Sequence, residues 1–299
     1  MKIAVLSDTR LPTSANYAGH GLGKQVLAAA NGLANKGHSV TLFAGAGSQF
    51  ARGPLVIEAD EKAFSPFLNT FDVVLDSTHQ HTAQTAWPKL PIVNWSHDRE
   101  GRPGRCAVFP SDAHRKWHGQ PGRVIHNAIE LPDAPSVSPD GYYAYLSMMH
   151  SPKGPLMARE AARLAGVKLV MAGPTPPLIP PGVEYIGPLS GADKFEFMAR
   201  ATALLFCSGI EAGPITPLEA QAVNCPVIGL DYGATKENLL PGKTGLIVQD
   251  TLGMVEAIGK VTDLRREDCR EWLEECRTLT GMIDQLEAAL VDAAKGEVW

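Results

Sequence analysis

The sequence predicts an α/β protein built as two parallel-sheet units, on three observations. Short apolar runs alternate with helical patterns from the first residues onward. A proline-rich stretch near the middle breaks that rhythm, and the same rhythm then resumes. The 299 residues also exceed what one hydrophobic core usually organises. Two domains are therefore expected, over residues 1–134 and 135–299.

Ile3–Leu6 reads as the first strand; the text from Met1 to Asp8 is too short and too quickly acidic for a signal peptide. A helix from about Leu22 to Lys36 follows, then Gly37-His38 and a strand over Val40–Ala44, which completes a βαβ unit. Val73–Leu75, Ile92–Trp95, Ala107–Phe109 and Val124–Ile125 extend that sheet, each ending in polar, Gly or Pro residues. Glu130–Gly141 carries three prolines and neither a helical nor a strand period, which marks a linker. The second unit has strands over Tyr143–Ser147, Lys168–Ala172, Val183–Ile186, Ala203–Cys207, Pro226–Gly229 and Gly245–Val248. Pro174–Pro181 reads as a surface loop, and residues 265–295 as acidic and helical. Within 279–294, Leu279, Met282, Ile283, Leu286, Ala289 and Leu290 share one face, so the 279–299 helix is expected to return to the first domain.

With 44% hydrophobic and 20% charged residues and a mean hydropathy of -0.06, the chain is neither disordered nor collagen-like. No apolar run reaches the roughly 18 residues of a membrane span, and a cytoplasmic protein without a transmembrane segment is expected. Five cysteines at scattered positions form no disulfide framework and no zinc-type pair, so reduced thiols are expected. The net charge of -5 is unevenly divided. Residues 1–134 hold 13 Lys and Arg against 11 Asp and Glu, a balance of +2, whereas 135–299 hold 14 against 21, a balance of -7. Eight of the nine histidines also lie in the first half. Two halves so unlike in charge are expected to meet different partners.

Gly19, His20, Gly21 and Gly23, followed by Lys24, allow close approach of backbone amides to an anion at a helix start, and equally make a plain strand-to-helix turn. A Walker loop would need Gly at Ala18 and Ser or Thr at Gln25, and a dinucleotide fingerprint would need Gly at Lys24, so neither motif is present. Cys207–Ala220 runs from a strand through a loop into a helix. There Thr216, Pro217 and Glu219 fit an N-cap, a first helical position and the reciprocal partner of a capping box, which gives Glu219 a structural reading beside a ligand one. Glu211 stands in the loop beyond a strand's carboxyl end, where open α/β sheets bind ligands and a carboxylate accepts hydrogen bonds from hydroxyls. The Ile215 and Thr216 amides at the helix start, beside Gly213, suit phosphate.

The paired glutamates, eight residues apart, with Glu219-Ala220-Gln221-Ala222 and Pro226-Val227-Ile228 after them, resemble the retaining glycosyltransferases of family 4, which have the GT-B fold of two facing Rossmann-like domains. Glu237 with Gly242–Val248, the hinge-like Val124–Glu130, Lys153-Gly154 before a helix, and Gly19–Gly23 with Gly37–Val40 are similar to further segments of that family, so the likeness spans most of residues 1–250. It implies that Glu211 touches sugar hydroxyls, that Glu219 meets the ribose, that Lys153 meets phosphate, and that His97 lies at the cleft edge of the first domain near the reacting sugar. Without the resemblance, His97 reads as a partly buried turn histidine. Two positions depart from the family: Met148 stands where its phosphate-binding arginine usually is, and Pro214 has no amide to donate.

The resemblance thus implies a retaining glycosyltransferase that moves a sugar from a nucleotide diphosphate donor, a UDP-sugar being the first guess, to an unidentified acceptor, with no cofactor and no metal. The first domain would serve the acceptor and the second the donor. Glu211 and His97 are the catalytic candidates; Lys153, Glu219, Gly213, Ile215 and Thr216 are the donor-binding ones; Gly19, His20 and Gly21 form the acceptor or phosphate loop. Rival readings are a nucleotide-sugar epimerase of the same fold, a noncatalytic nucleotide-sugar binding module, and a glycosyltransferase acting on modified nucleic acid. The last is motivated by the basic stretch at Arg99, Arg102 and Arg105 and is not favoured, because a charge run commonly forms a solvated face. His79 with His81, and His114 with His118, have metal-like spacing without an obvious third ligand, and solvated surface histidines are expected there.

Overall fold

The computed structural model of the chain describes every residue except 9, 11, 15–20, 58–68, 80, 82, 85–86, 99–102, 175–179 and 210. The chain forms two compact units, one of Met1–Ala128 with Leu279–Trp299, the other of Ile129–Thr278.

The first unit is a parallel sheet of β1 (Lys2–Leu6), β2 (Ser39–Ala44), β3 (Leu55–Ile57), β4 (Val73–Asp76), β5 (Ile92–Trp95), β6 (Ala107–Phe109) and β7 (Arg123–Val124), in the order β3-β2-β1-β4-β5-β6-β7. β4, β5 and β6 are buried along their whole length and β1 from its second residue on, which is why they are mostly apolar rather than alternating, with Asp76 and Asn94 buried among them. β3 carries the short apolar run Leu-Val-Ile, which the sequence reading missed; among the described residues it is an edge strand paired to β2, with Leu55 and Val56 partly buried and Ile57 exposed. Helix α1 (Gly21–Asn35) buries Val26, Ala29, Ala30 and Leu33 on one face. Against it lies the carboxy-terminal helix Leu279–Ala294, whose Met282, Ile283, Leu286, Ala289 and Leu290 enter the same core. A Cβ at Gly32 would overlap the Ile283 side chain, so a glycine is needed where these two helices touch. α2 (Asp112–His118) is capped by the Ser111 hydroxyl, which accepts from the His114 amide at 3.0 Å, and ends on Gly119 in the left-handed region.

The second unit is a parallel sheet of β8 (Tyr143–Leu146), β9 (Leu169–Ala172), β10 (Glu184–Tyr185), β11 (Leu204–Phe206), β12 (Val227–Leu230) and β13 (Gly245–Val248), ordered β10-β9-β8-β11-β12-β13. Its helices are α3 (Pro155–Ala165), α4 (Gly191–Arg200), α5 (Thr216–Gln221), α6 (Thr251–Ile258) and α7 (Glu267–Cys276); the carboxy-terminal helix is α8. Alternate residues serve opposite faces. Tyr143, Tyr145, Met171, Leu205 and Ile228 pack with α3 and α6, while Ala144, Val170, Leu204, Phe206 and Val227 pack with α4 and α5.

The expected boundary after residue 134 falls inside the second unit. Ile129 and Leu131 already pack with Leu218, Ala222 and Leu273, so the chain joins that core before its prolines begin. The acidic helical stretch is likewise two helices, interrupted where Thr278 forms a parallel bridge to Ile129 and leaves the helical path. All five cysteines are free thiols. Among the described residues no helix is long and apolar enough to cross a membrane.

Candidate active site

In the second unit the strand order reverses between β8 and β11, the position at the sheet's carboxyl edge where open α/β sheets bind ligands. The two loops leaving these strands are stitched together. After β8 a short 3-10 turn, Ser151–Lys153, ends on Gly154 at φ 69, in the left-handed region. A Cβ there would run into the Cys207 carbonyl, so only glycine lets the loop lie against the end of β11. The Gly209 amide donates to the Pro152 carbonyl at 2.9 Å, and the Tyr145 hydroxyl lies 3.1 Å from the carbonyls of Met148 and Lys153.

That backbone arrangement delivers the Lys153 ammonium to the Glu211 carboxylate, Nζ to Oε1 2.7 Å, with both side chains mostly buried. The resemblance implies sugar for Glu211 and phosphate for Lys153; the two side chains form one ion pair. A third loop backs it: Gly233, at φ 54, packs on the Glu211 carbonyl, which accepts from the Ala234 amide at 3.3 Å. Cys207, just past the end of β11, is held as a thiol, its pKa pushed up to about 12 by burial, and is no nucleophile at neutral pH.

The capping-box reading of Glu219 is overturned. α5 starts one residue earlier than that reading requires, with Ile215 at the cap position and no side chain capping it, so Thr216 is the first helical residue rather than the cap. Glu219 instead accepts a hydrogen bond from the ammonium of Lys194, on α4, and both groups are buried. Lys194 is a residue the sequence reading missed; the signal is its position three and four residues before Phe197 and Met198, which puts it on the buried face of the helix. Around this pair, Asn238 donates to the Pro214 carbonyl at 2.9 Å and Gln221 donates to the Asn238 carbonyl at 2.8 Å, which fixes the loop containing Gly213 and Ile215. Arg277 donates to the carbonyl of Glu237. Met148 is exposed at the position expected to hold an arginine.

In the first unit, His97 follows β5, is half-buried, and lies with its ring 4.6 Å from that of Trp95, at a tilt of 59°. Gly21 opens α1 and is exposed, whereas Gly19 and His20 lie outside the described residues, as do Arg99 and Arg102. Arg105 is exposed. The histidines expected on a solvated surface are not there. His81 and His114 are buried; His114 and His118 both turn Nε2 to the Asp98 carbonyl, at 2.7 and 2.9 Å; His79 pairs with Asp8. His114 and His118 thus serve the loop backbone after β5 and His79 a carboxylate, which a spacing rule does not reveal. Among the described residues no group of three or more His, Cys, Asp or Glu could hold a metal ion.

Residues 143–264 match the family Glycosyl transferases group 1. A search of curated proteins finds no match. In solved structures the whole chain is similar to AviGT4, a glycosyltransferase involved in avilamycin A biosynthesis, with a TM-score of 0.80 at 20% identity, over 100% of this chain and 99% of that one. It is similar to a sucrose-phosphate synthase from Thermosynechococcus elongatus, with a TM-score of 0.77 at 13% identity, over 99% and 100%. It is also similar to HepE from Anabaena in complex with UDP and glucose, with a TM-score of 0.73 at 15% identity, over 97% and 99%. The fold is therefore GT-B, with two parallel-sheet α/β domains.

Proposed function

We propose that the protein is a retaining glycosyltransferase that takes a sugar from a nucleotide diphosphate donor, with UDP-glucose the first donor to try, and passes it to an acceptor served by the first unit. The observation that carries this reading is the Lys153–Glu211 pair at the β8/β11 reversal, inside the segment that matches the glycosyltransferase family. HepE is known in complex with UDP-glucose, which supports the choice of donor.

A nucleotide sugar presents a ribose diol, a diphosphate and a hydroxylated ring, and the second unit carries a carboxylate, a cation with helix-start amides, and a second carboxylate to meet them. Glu219 keeps one oxygen for the ribose while Lys194 holds the other. Lys153 and the amides at Ile215 and Thr216 stabilise charge growing on the departing diphosphate. Glu211 accepts from sugar hydroxyls, and its pairing with Lys153 couples sugar position to phosphate position. Retention follows from attack on the face the diphosphate leaves, with that leaving group taking the acceptor proton. His97 acts near the reacting sugar.

One observation favours a noncatalytic binding module instead: Met148 is neutral where a second phosphate cation is expected, and Lys153 is already neutralised by Glu211. Calorimetry with a panel of nucleotide sugars, followed by mass spectrometry of the mixtures, decides between them. Binding with donor consumption supports the transferase; binding without it supports the module; no binding of any nucleotide sugar ends both.

A further inference from the structure

β5 ends at Trp95, and the Ser96 amide still donates to the Val108 carbonyl of β6 at 2.9 Å. His97, proposed above to act near the reacting sugar, comes next, and the backbone carbonyl of the residue after it, Asp98, is met by two imidazoles. His114 Nε2 lies 2.7 Å from that oxygen and His118 Nε2 2.9 Å. Both rings stand on α2, four residues apart and so on one face of the helix. That face lies over Phe109 at the end of β6: the His114 ring meets the phenyl ring edge-on at 5.6 Å, and the His118 ring lies 5.4 Å from it at a tilt of 36°. α2 is itself pinned at both ends, by the Ser111 hydroxyl and by Gly119, whose amide donates to the carbonyls of Arg115 and Lys116. His114 is buried and His118 half-buried.

A carbonyl oxygen only accepts hydrogen bonds, so a ring nitrogen that bonds to Asp98 must carry a proton. The two Nε2 atoms are also 3.1 Å from each other. Were one of them a bare lone pair, taking a hydrogen bond from the other, it would face the Asp98 oxygen across 2.7 or 2.9 Å, acceptor against acceptor. Two N–H groups converging on one oxygen, which has two lone pairs, avoid that repulsion. The nitrogens are therefore close to each other because they share a target, and each ring carries its proton on Nε2. Two rigid donors on a fixed helix restrain the peptide they hold in two directions, and the effectiveness of a polar group at a reacting centre depends on its placement to within about an ångström.

We infer that His114 and His118 are positioning residues for His97: together they clamp the Asp98 carbonyl and so tie the turn after β5 to a helix that is anchored independently. The clamp stands on these contacts alone; its consequence for sugar transfer rests on the role proposed above for His97.

Nuclear magnetic resonance of the full chain with isotope-labelled histidine rings tests the clamp, each ring being assigned by the loss of its signal in a single substitution. At about pH 8.5, where a free imidazole is neutral, His114 and His118 should both carry their proton on Nε2. His118, the less buried ring, is replaced first: His118→Leu should shift the His97 signal, and His118→Gln, whose amide donates from a similar place, should return it. His114→Leu and His114→Gln repeat the comparison from the buried side. A proton on Nδ1 in place of Nε2 in either ring, or a His97 signal unmoved in the folded leucine variants, overturns the clamp. Consumption of UDP-glucose reads the consequence for catalysis. His118→Leu should lower turnover about tenfold with nucleotide affinity unchanged, His118→Gln should restore it, and His118→Leu should have no further effect in a His97→Ala background, because both changes act through one group. A loss of the same size with and without the His97 ring overturns the positioning role. Full turnover by His97→Ala would undo the assignment of His97, and no turnover by the unsubstituted chain would undo the choice of donor; in either case the spectra still decide the clamp.

Discussion

Each unit sets two carboxylates against two bases near the carboxyl edge of its sheet, but with different chemistry. The second unit uses glutamate and lysine, Glu211 with Lys153 and Glu219 with Lys194. The first uses aspartate and histidine, Asp8 with His79 at 2.9 Å and Asp76 with His81 at 3.9 Å. The order along the chain is also exchanged. At the β8/β11 reversal the cation follows the first strand and the carboxylate the second; at β1/β4 the carboxylate comes first. The shared topology decides where a ligand can enter, and the loops decide what it meets. Lysine and glutamate keep their charge through neutral pH, whereas imidazole is the side chain whose charge changes there. The second unit thus suits the constant charge of the diphosphate in the donor proposed above, and the first carries side chains able to respond to pH.

The comparison breaks most sharply at the buried Lys194–Glu219 pair. Lys194→Ala leaves a buried carboxylate unpaired and should cost about 3–5 kcal/mol in urea unfolding, while Lys194→Met with Glu219→Leu should recover most of that loss. The double variant should still fail to bind UDP-glucose; normal binding would remove Glu219 from the donor site. Next, Glu211→Ala should lower transfer by roughly 10³-fold with nucleotide affinity changed only a few-fold, whereas Lys153→Ala should weaken nucleotide binding itself. Because the two groups touch, the double variant should lose less than the sum of the singles, and strict additivity in calorimetry and kinetics would contradict a coupled pair.

On the side of the first unit, His97→Ala should reduce transfer by about 10²-fold with little change in nucleotide affinity. Full activity in that folded variant would return His97 to a turn histidine beside Trp95. The smallest effect is on stability against pH. The raised pKa of His79 contributes stability that is complete below its ordinary value and lost as pH rises through the raised one; the lowered pKa of Asp8 contributes stability that is present above its ordinary value and lost as pH falls toward the depressed one. Urea midpoints of the unsubstituted chain should therefore decline as pH rises above the ordinary histidine value, and Asp8→Asn should flatten that limb. An unchanged alkaline limb in Asp8→Asn would show that the His79–Asp8 contact does not control the titration.

Strand and helix placement was legible because it follows from local pattern. β1, β4, β5 and β6 are mostly apolar, and α8 announces its buried face through Met282, Ile283, Leu286, Ala289 and Leu290. Glu211 was legible as a loop carboxylate beyond a strand end, and Lys153-Gly154 as a helix entry. By itself, then, the sequence determined two parallel-sheet units, the order of their elements, and which polar residues stand at strand ends. Only the tertiary structure decided what those residues touch: that Lys153 meets Glu211 across 58 positions of chain, that Glu219 is held by Lys194 instead of closing a capping box, and that His79 turns to Asp8 across the β1/β4 reversal. Periodicity reports the burial of a residue's own face within a few turns of chain, whereas these pairs form between loops brought together by strand order, and strand order is fixed by packing of the whole sheet.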